Sequence, residues 1–311
     1  MATIRRPRKG SLQFWPRKRA SKFLPRVNWS SINSKKIVKG FICYKACMVS
    51  AYVKDNTPDS MTKGKNIIIP VTILECPSMK IFSVRFYKNG LVKTEILAEN
   101  PNKELKGRLR MPKKKSSKIE DVKDYDDITL ICYSDVKKTG LKKTPDVSEI
   151  GLGGSLQEKF NFAKENLGKE IRVSDVFEKK QVVDARGLTK GQGFSGTVKR
   201  FGITLKSHKS EKGRRRPGSL GPWHPARVTY LTPMAGQLGM FTRAVYNSNI
   251  ISIGSANEKL KNIKNYGNID TDYIILRGSV QGPAKRQLLI TSPLRETKKT
   301  AKKAYELIEL R

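Results

Sequence analysis

The chain has 311 residues, of which 63 are Lys or Arg and 27 are Asp or Glu, a net charge of +36. A compact body with that excess repels itself unless a polyanion neutralises it, so nucleic acid is the expected partner; the basic stretches are broken by glycine and proline and lack the amphipathic helix that would suit an anionic membrane. No run of about 18 apolar residues occurs, and the basic N-terminus has no apolar core segment, so neither a transmembrane helix nor a secretory signal is expected.

Residues 1–38 read as a basic arm. Its first 26 residues hold Arg5, Arg6, Arg8, Lys9, Arg17, Lys18, Arg19, Lys22 and Arg26 and no acid, with Phe14, Trp15 and Phe23 interleaved. Cations that neutralise phosphates, alternating with rings that stack on bases, suit an arm that orders on RNA. From residue 39 the texture changes. Residues 40–53 and 66–76 are apolar and β-branched and read as strands of a buried sheet, with Pro70 at an edge or bulge. Residues 79–97 alternate around Asn89-Gly90, the strongest hairpin signal in the chain. We expect residues 39–98 to form the first part of a barrel.

Residues 99–170 read as an inserted α/β lobe. It opens on a polar, basic loop at 103–123 that includes Lys113, Lys114 and Lys115, and returns to strand at 128–133. A helix is predicted over about 156–167: Ser155 and Glu158 make a capping box, Leu156, Phe160, Ala163 and Leu167 share a face, and Gly168 stops it. Residues 171–200 bring the chain back to the sheet.

Ala185 to Arg227 is the most unusual stretch. Of its 43 residues, eleven are basic (Arg186, Lys190, Lys199, Arg200, Lys206, Lys209, Lys212, Arg214, Arg215, Arg216, Arg227), eight are glycine and one, Glu211, is acidic. That is too much like charge to collapse and too much glycine for a helix. Composition alone leaves two readings, a solvated loop or a loop that folds on a polyanion. The tight spacing of Gly187, Gly191, Gly193 and Gly196, and a Trp223-His224 pair between Pro222 and Pro225, favour the second. Residues 228–293, with strands at 228–233, 240–253, 273–280 and 286–291, are expected to complete the barrel. Residues 294–311 read as a short helical tail.

With about eight strands, one clear helix and no alternation of strand and helix, the fold class is mainly β, a barrel-centred domain with an α+β insertion. Cys43, Cys47, Cys76 and Cys132 form no CxxC pair and lie far from His208 and His224, so free thiols in apolar strands are expected, in a reducing compartment, and no zinc site. No nucleophile–base grouping, phosphate-binding motif or paired carboxylates stand out. The acidic pair Asp126-Asp127 is isolated in a turn, and the GxG at Gly191–Gly193 is followed by no predicted helix. An enzyme is not expected.

Phe177, Asp184, Gly187, Thr189, Gly191, Gly193, Gly196 and Arg200 resemble, in order, the signature of the universal large-subunit ribosomal protein L-three family. Gln192 stands where that family usually has a basic residue. Gly221–Pro225 with Arg227 and Val228 resembles the family's tryptophan finger, here residues 201–227. Lys9–Leu12, Phe14 and Pro16–Ala20 resemble the N-terminal arm of its archaeal and eukaryotic branch. Ala235, Gly236, Gln237, Gly239 and Arg243 also fit, although Met240, Phe241, Ala244 and Val245 depart from the usual residues there.

The resemblance implies a closed six-stranded barrel of the translation-protein type, carrying the long N-terminal arm and a central finger loop. It implies a structural constituent of the large ribosomal subunit in the cytoplasm that binds 23S-type ribosomal RNA early in assembly and shapes it beside the peptidyl-transferase centre and the aminoacyl-tRNA entrance. Neighbouring ribosomal proteins are expected partners, with no small-molecule substrate and no cofactor apart from structural Mg2+ shared with the RNA. The expected RNA-binding residues are the arm's Arg5, Arg6, Arg8, Lys9, Phe14, Trp15, Arg17, Lys18, Arg19 and Arg26, the eleven cations of 185–227, and Gln192, Phe194, His208, Trp223, His224 and Arg243. An RNA-modifying enzyme and a general nucleic-acid-binding or DNA-compacting protein are the alternatives.

Overall fold

The computed structural model describes residues 10–34, 36–110, 119–255 and 260–311. Its regular elements, in chain order, are β1 (Gly40–Asp55), β2 (Asn66–Glu75), β3 (Met79–Lys88), β4 (Leu91–Leu97), β5 (Asp127–Ser134), β6 (Val147–Gly151), α1 (Leu156–Asn166), β7 (Glu170–Ile171), α2 (Val173–Val176), β8 (Val182–Leu188), β9 (Phe194–Ser195), α3 (Thr197–Phe201), β10 (Gly236–Gln237), β11 (Thr242–Gly254), β12 (Tyr273–Arg277), β13 (Gln287–Thr291), α4 (Lys298–Ala301) and β14 (Tyr305–Leu310). The protein is mainly β. The chain divides into two compact units, one of Phe23–Gly187 with Arg243–Arg311, the other of residues up to Lys22 with Leu188–Thr242.

The larger unit holds two sheets. In the first the strand order is β13-β8-β11-β12-β2-β1-β14, and β13 also pairs with β1. In the second the order is β4-β3-β5-β6, with β7 on β3. The first seven residues of β1 are all buried, after which burial alternates. A strand covered on both faces calls for such a run of Gly and apolar residues, and the one charged member, Lys45, donates its Nζ to the carbonyls of Val280 at 2.8 Å and Gly282 at 3.1 Å. Phe41, Tyr44 and Leu288 of the first sheet and Met79, Phe86 and Leu130 of the second belong to one apolar cluster, with Phe177. The hairpin over 79–97 therefore lies in the second sheet and not in the first, where it was expected. Its turn forms as the sequence predicts, with Asn89 and Gly90 both at positive φ (50° and 74°). Pro70 lies one residue beyond the last β2–β12 pair, Val71–Arg277; its carbonyl still accepts from Gly278 N at 2.9 Å, and the Gly278 carbonyl, which faces the missing N–H, accepts from Thr72 Oγ1 at 2.7 Å instead.

The capping box forms: Ser155 Oγ accepts from Glu158 N at 3.4 Å, and Ser155 N donates to Glu158 Oε2 at 3.1 Å. Of the predicted face only Ala163 is fully buried, while Leu156 is exposed. All four cysteines are free; Cys43, Cys76 and Cys132 are buried, and burial pushes the Cys132 thiol up to about 12.

Two predicted elements differ. Residues 228–233 form no strand. The tail at 294–311 is helical only over Lys298–Ala301, and Tyr305–Leu310 is a strand. The reason lies in β1. Its pairing with β13 ends at Tyr44, and Ala51–Asp55 farther along takes β14 as its partner. An unsatisfied backbone edge outweighs the helix propensity of Glu and Leu.

Asp184, at the centre of β8, is fully buried and accepts hydrogen bonds from Asn247 N and Leu294 N, both at 2.9 Å. It ties β8 to β11 and to the segment after β13. Trp29 lies across two glycines: a Cβ at Gly151 would fall 2.4 Å from Trp29 Cβ, and one at Gly40 2.7 Å from its ring. The Trp29 carbonyl accepts from Lys39 Nζ at 3.0 Å. Among the described residues no helix is long and apolar enough to cross a membrane.

Candidate nucleic-acid interface

Within Gly10–Lys22 and Leu188–Thr242, fourteen side chains are Lys or Arg and one, Glu211, is acidic. The ion pairs among the described residues all lie in the other unit. Among the described residues these fourteen cations thus have no carboxylate partner.

Part of the backbone in this unit, residues 189–195 against 236–241, is zipped together. Thr189 N donates to the Phe241 carbonyl at 3.0 Å, Gln192 N to Leu238 O at 3.0 Å, and Leu238 N to Gly193 O at 2.9 Å; Phe194 and Ser195 then pair with Gln237 and Gly236. Gly239 permits the approach: its φ is +77°, and a Cβ would fall 2.0 Å from the Lys190 carbonyl oxygen. Gly191 packs beneath Met240, whose Cγ would be 3.0 Å from an added Cβ. Some of the glycine spacing that suggested a polyanion approach therefore serves this internal pairing. The short helix α3 was also not expected; it stops at Gly202, in the left-handed region at φ +63°.

Arg200, in α3, is the hub. Its Nε donates to Gln237 O at 3.0 Å, Nη1 to Met234 O at 2.8 Å and Nη2 to Arg17 O at 3.3 Å. Arg17 Nη1 donates in return to the Arg200 carbonyl. The two guanidinium carbons lie 4.2 Å (Arg17) and 5.0 Å (Arg200) from the Phe201 ring centroid. Burial lowers the pKa of both, and Arg17 lowers that of Arg200 further, but a guanidinium stays charged throughout. Trp15 completes the cluster, 5.7 Å from Phe201 and edge-on to Tyr230 at 6.3 Å. Trp15 is thus half-buried among rings of its own unit, and the Arg200 fork is largely spent on backbone carbonyls. Sequence reading passed over Tyr230, which sits in the misassigned 228–233 segment, and gave Phe201 no role.

The other expected residues face outward. Lys18, Arg19, Lys190, Gln192, Lys199, Lys206, His208, Lys209, Lys212, Arg214, Arg215, Arg216, His224 and Arg227 are exposed. Phe194 is 82% exposed and Trp223 87%. Phe14 is about half exposed. The finger is a turn-rich loop whose base is fastened by Lys206 N to Arg214 O at 3.1 Å and Thr197 Oγ1 to Arg215 O at 3.3 Å.

Three expected site residues belong to the larger unit. Arg26 is exposed. Arg186 is half-buried, with Nε on Thr291 Oγ1 at 3.2 Å and Nη2 at 3.9 Å from Asp184. Arg243 is half-buried, and its carbonyl accepts from Gln281. Arg5, Arg6, Arg8 and Lys9, like Lys113–Lys115, lie outside the described residues. Among the described residues no group of three or more His, Cys, Asp or Glu could hold a metal ion.

Unpaired cations on a pinned backbone, with flat rings presented to solvent, can neutralise phosphates and stack on unpaired bases. Comparison with known proteins gives this chemistry a family. The chain is 39% identical over 310 residues to large ribosomal subunit protein uL3 of Methanocaldococcus jannaschii, covering 94% of this chain and 92% of that one. It is 38% identical to the uL3 of Methanobrevibacter smithii over 96% of this chain and 95% of that one, and 39% identical to the uL3 of Methanopyrus kandleri over 97% and 89%. The family model of ribosomal protein L3 matches residues 1–311, and the chain belongs to that family.

Proposed function

We propose that the chain works in the large ribosomal subunit by using its basic unit to hold 23S-type ribosomal RNA early in assembly, with the finger beside the peptidyl-transferase centre and the aminoacyl-tRNA entrance. As a member of its family it is a structural constituent of that subunit, with ribosomal RNA and ribosomal proteins as partners, and not an enzyme. The observation that carries the RNA-contact reading is the set of fourteen cations against one acid, none of them in an ion pair among the described residues. Lys18, Arg19, Lys190, Lys199 and the cations of 206–227 take phosphates. Phe194 and Trp223 stack on bases, each worth about 1–3 kcal/mol where a base is present. Any Mg2+ at this surface would take its ligands from RNA phosphates, since the described side chains offer no ligand cluster.

We also infer that β13-β8-β11-β12-β2-β1 closes into a six-stranded barrel. The return pairing of β1 with β13 through Gly40–Tyr44 supports it. So do the register shifts at Lys45/Cys47 and Ile250/Ser252, since bulges give strands the bend that closure needs.

A photo-crosslinker placed at position 223 in cells tests the reading. Attachment to the peptidyl-transferase region of large-subunit RNA is expected. Attachment scattered over messenger RNA or DNA would favour a general nucleic-acid binder and overturn it. Trp223→Ala should leave the unfolding midpoint unchanged and slow peptidyl transfer or aminoacyl-tRNA acceptance.

A further inference from the structure

We propose that the unit of Gly10–Lys22 and Leu188–Thr242 carries a slot that takes one unstacked RNA nucleotide, its base inside and its phosphate on an arginine rim. This inference rests on the RNA-binding reading above. The slot is a cavity of about 440 Å3 lined by Val198, Pro217, Leu220 and Met234 and by Arg215 and Arg216, both of which are exposed to solvent. The volume falls within the range of about 300–1,000 Å3 typical of small-ligand pockets.

Its walls are pinned individually. Thr197 Oγ1 donates to the Arg215 carbonyl at 3.3 Å, Thr232 Oγ1 to the Leu220 carbonyl at 3.1 Å, and Arg200 Nη1 to the Met234 carbonyl at 2.8 Å. Each of three chain segments is thus fastened by a side chain that does not itself wall the cavity with charge. Such preorganisation is what a binding site needs and a passive surface dent lacks.

Charge selects the occupant. No carboxylate lines the slot, both rim arginines are exposed and make no ion pair among the described residues, and the only acid of the unit is Glu211. A partner protein's apolar side chain would fill the interior but leave Arg215 and Arg216 unneutralised. A nucleotide satisfies both halves: a flat base between apolar walls, as in sites that hold a splayed-out base, and a phosphate for a guanidinium fork.

Two variants of the full chain close the slot from opposite segments without touching its cations, Met234→Trp and Leu220→Trp. Each is bound to a large-subunit ribosomal RNA transcript and probed with base-specific modifying reagents. Wild-type protein is expected to shield one unpaired base that either variant leaves reactive, with affinity about tenfold weaker and the salt dependence of binding unchanged. If wild-type protein shields RNA but both variants give the same footprint and the same affinity, the slot is overturned and the RNA reading stands. If wild-type protein shields no RNA, both fall. A photo-crosslinker at position 220 in assembled subunits should attach to a single nucleotide; attachment to a peptide would overturn the proposal.

Discussion

Arg17 and Arg200 hold each other by the backbone. The Arg17 guanidinium donates to the Arg200 carbonyl, Arg200 Nη2 donates to the Arg17 carbonyl at 3.3 Å, and both guanidiniums lie against the Phe201 ring. Two like charges tolerate this proximity because each is hydrogen-bonded to carbonyl dipoles and rests on the negative face of an aromatic.

Arg200→Lys should therefore behave almost like Arg200→Ala. A lysine ammonium is a point donor on a flexible stem and cannot reach the carbonyls of Arg17, Met234 and Gln237 at once. Loss of two or more charge-assisted bonds should cost the local structure about 2–4 kcal/mol. Amide exchange of Leu238 and Gln192, whose N–H groups close the zipped segment, should accelerate in both variants. Retained protection in Arg200→Lys would mean that charge alone, without the fork, suffices.

Asp184 gives a second case in which a residue of the family signature is explained by folding. Its two carboxylate oxygens accept from Asn247 N and Leu294 N in a fully buried site. Asp184→Asn keeps the shape but turns one acceptor into a donor facing a backbone N–H. Stranding a buried donor costs about 1–3 kcal/mol. The urea midpoint should fall accordingly, and an unchanged midpoint would show that the two amides find other partners.

What could be read from the sequence was local. Asn89-Gly90 fixes its own turn, Ser155 and Glu158 cap their own helix, and the apolar runs at 40–53 and 66–76 become β1 and β2. What could not be read depends on distant partners. Val228, Thr229 and Tyr230 look like strand residues, but Tyr230 stands edge-on to Trp15 from the arm. Tyr305–Leu310 is a strand because β1 offers it an edge. Composition showed that Arg200 is charged, but not that its donors point at carbonyls. The exposed positions of Trp223 and Phe194, by contrast, follow from a neighbourhood with too few apolar residues to cover them.

Asp55 makes the larger unit acid-sensitive. Burial alone would raise its pKa, but hydrogen bonds from Thr57, Thr62 and Ser60 prevail and hold it at about 2. A folded-state pKa below the unfolded value of about 3.9 means that the carboxylate stabilises the fold above that value, and that this contribution is lost as pH falls toward 2. Wild type should exceed Asp55→Asn by about 2 kcal/mol at pH 6, and the difference should close between about pH 4 and pH 2. Denaturation curves of the two proteins across that range measure it directly. A gap that persists unchanged at pH 2 would place the contribution in packing instead of charge.

The run Arg214–Arg216 allows the cations to be counted by salt. Apart from Arg214 Nε on the Lys206 carbonyl at 3.2 Å, these guanidiniums make no hydrogen bond or ion pair to protein groups among the described residues, and all three are exposed. Each cation that neutralises a phosphate of single-stranded RNA adds about 0.7 to the slope of log affinity against log salt. Replacing all three with Gln should therefore flatten that slope by about 2 while leaving the unfolding free energy within about 0.5 kcal/mol of wild type, as expected for exposed surface changes. The discriminating quantity is the slope and not the affinity at one salt concentration, because a variant that merely loosened the finger would bind more weakly at every salt concentration with its slope unaltered. A slope equal to that of wild type would mean that the three arginines touch no phosphate, and the phosphate contacts would then have to be sought on Lys190, Lys199 and the arm.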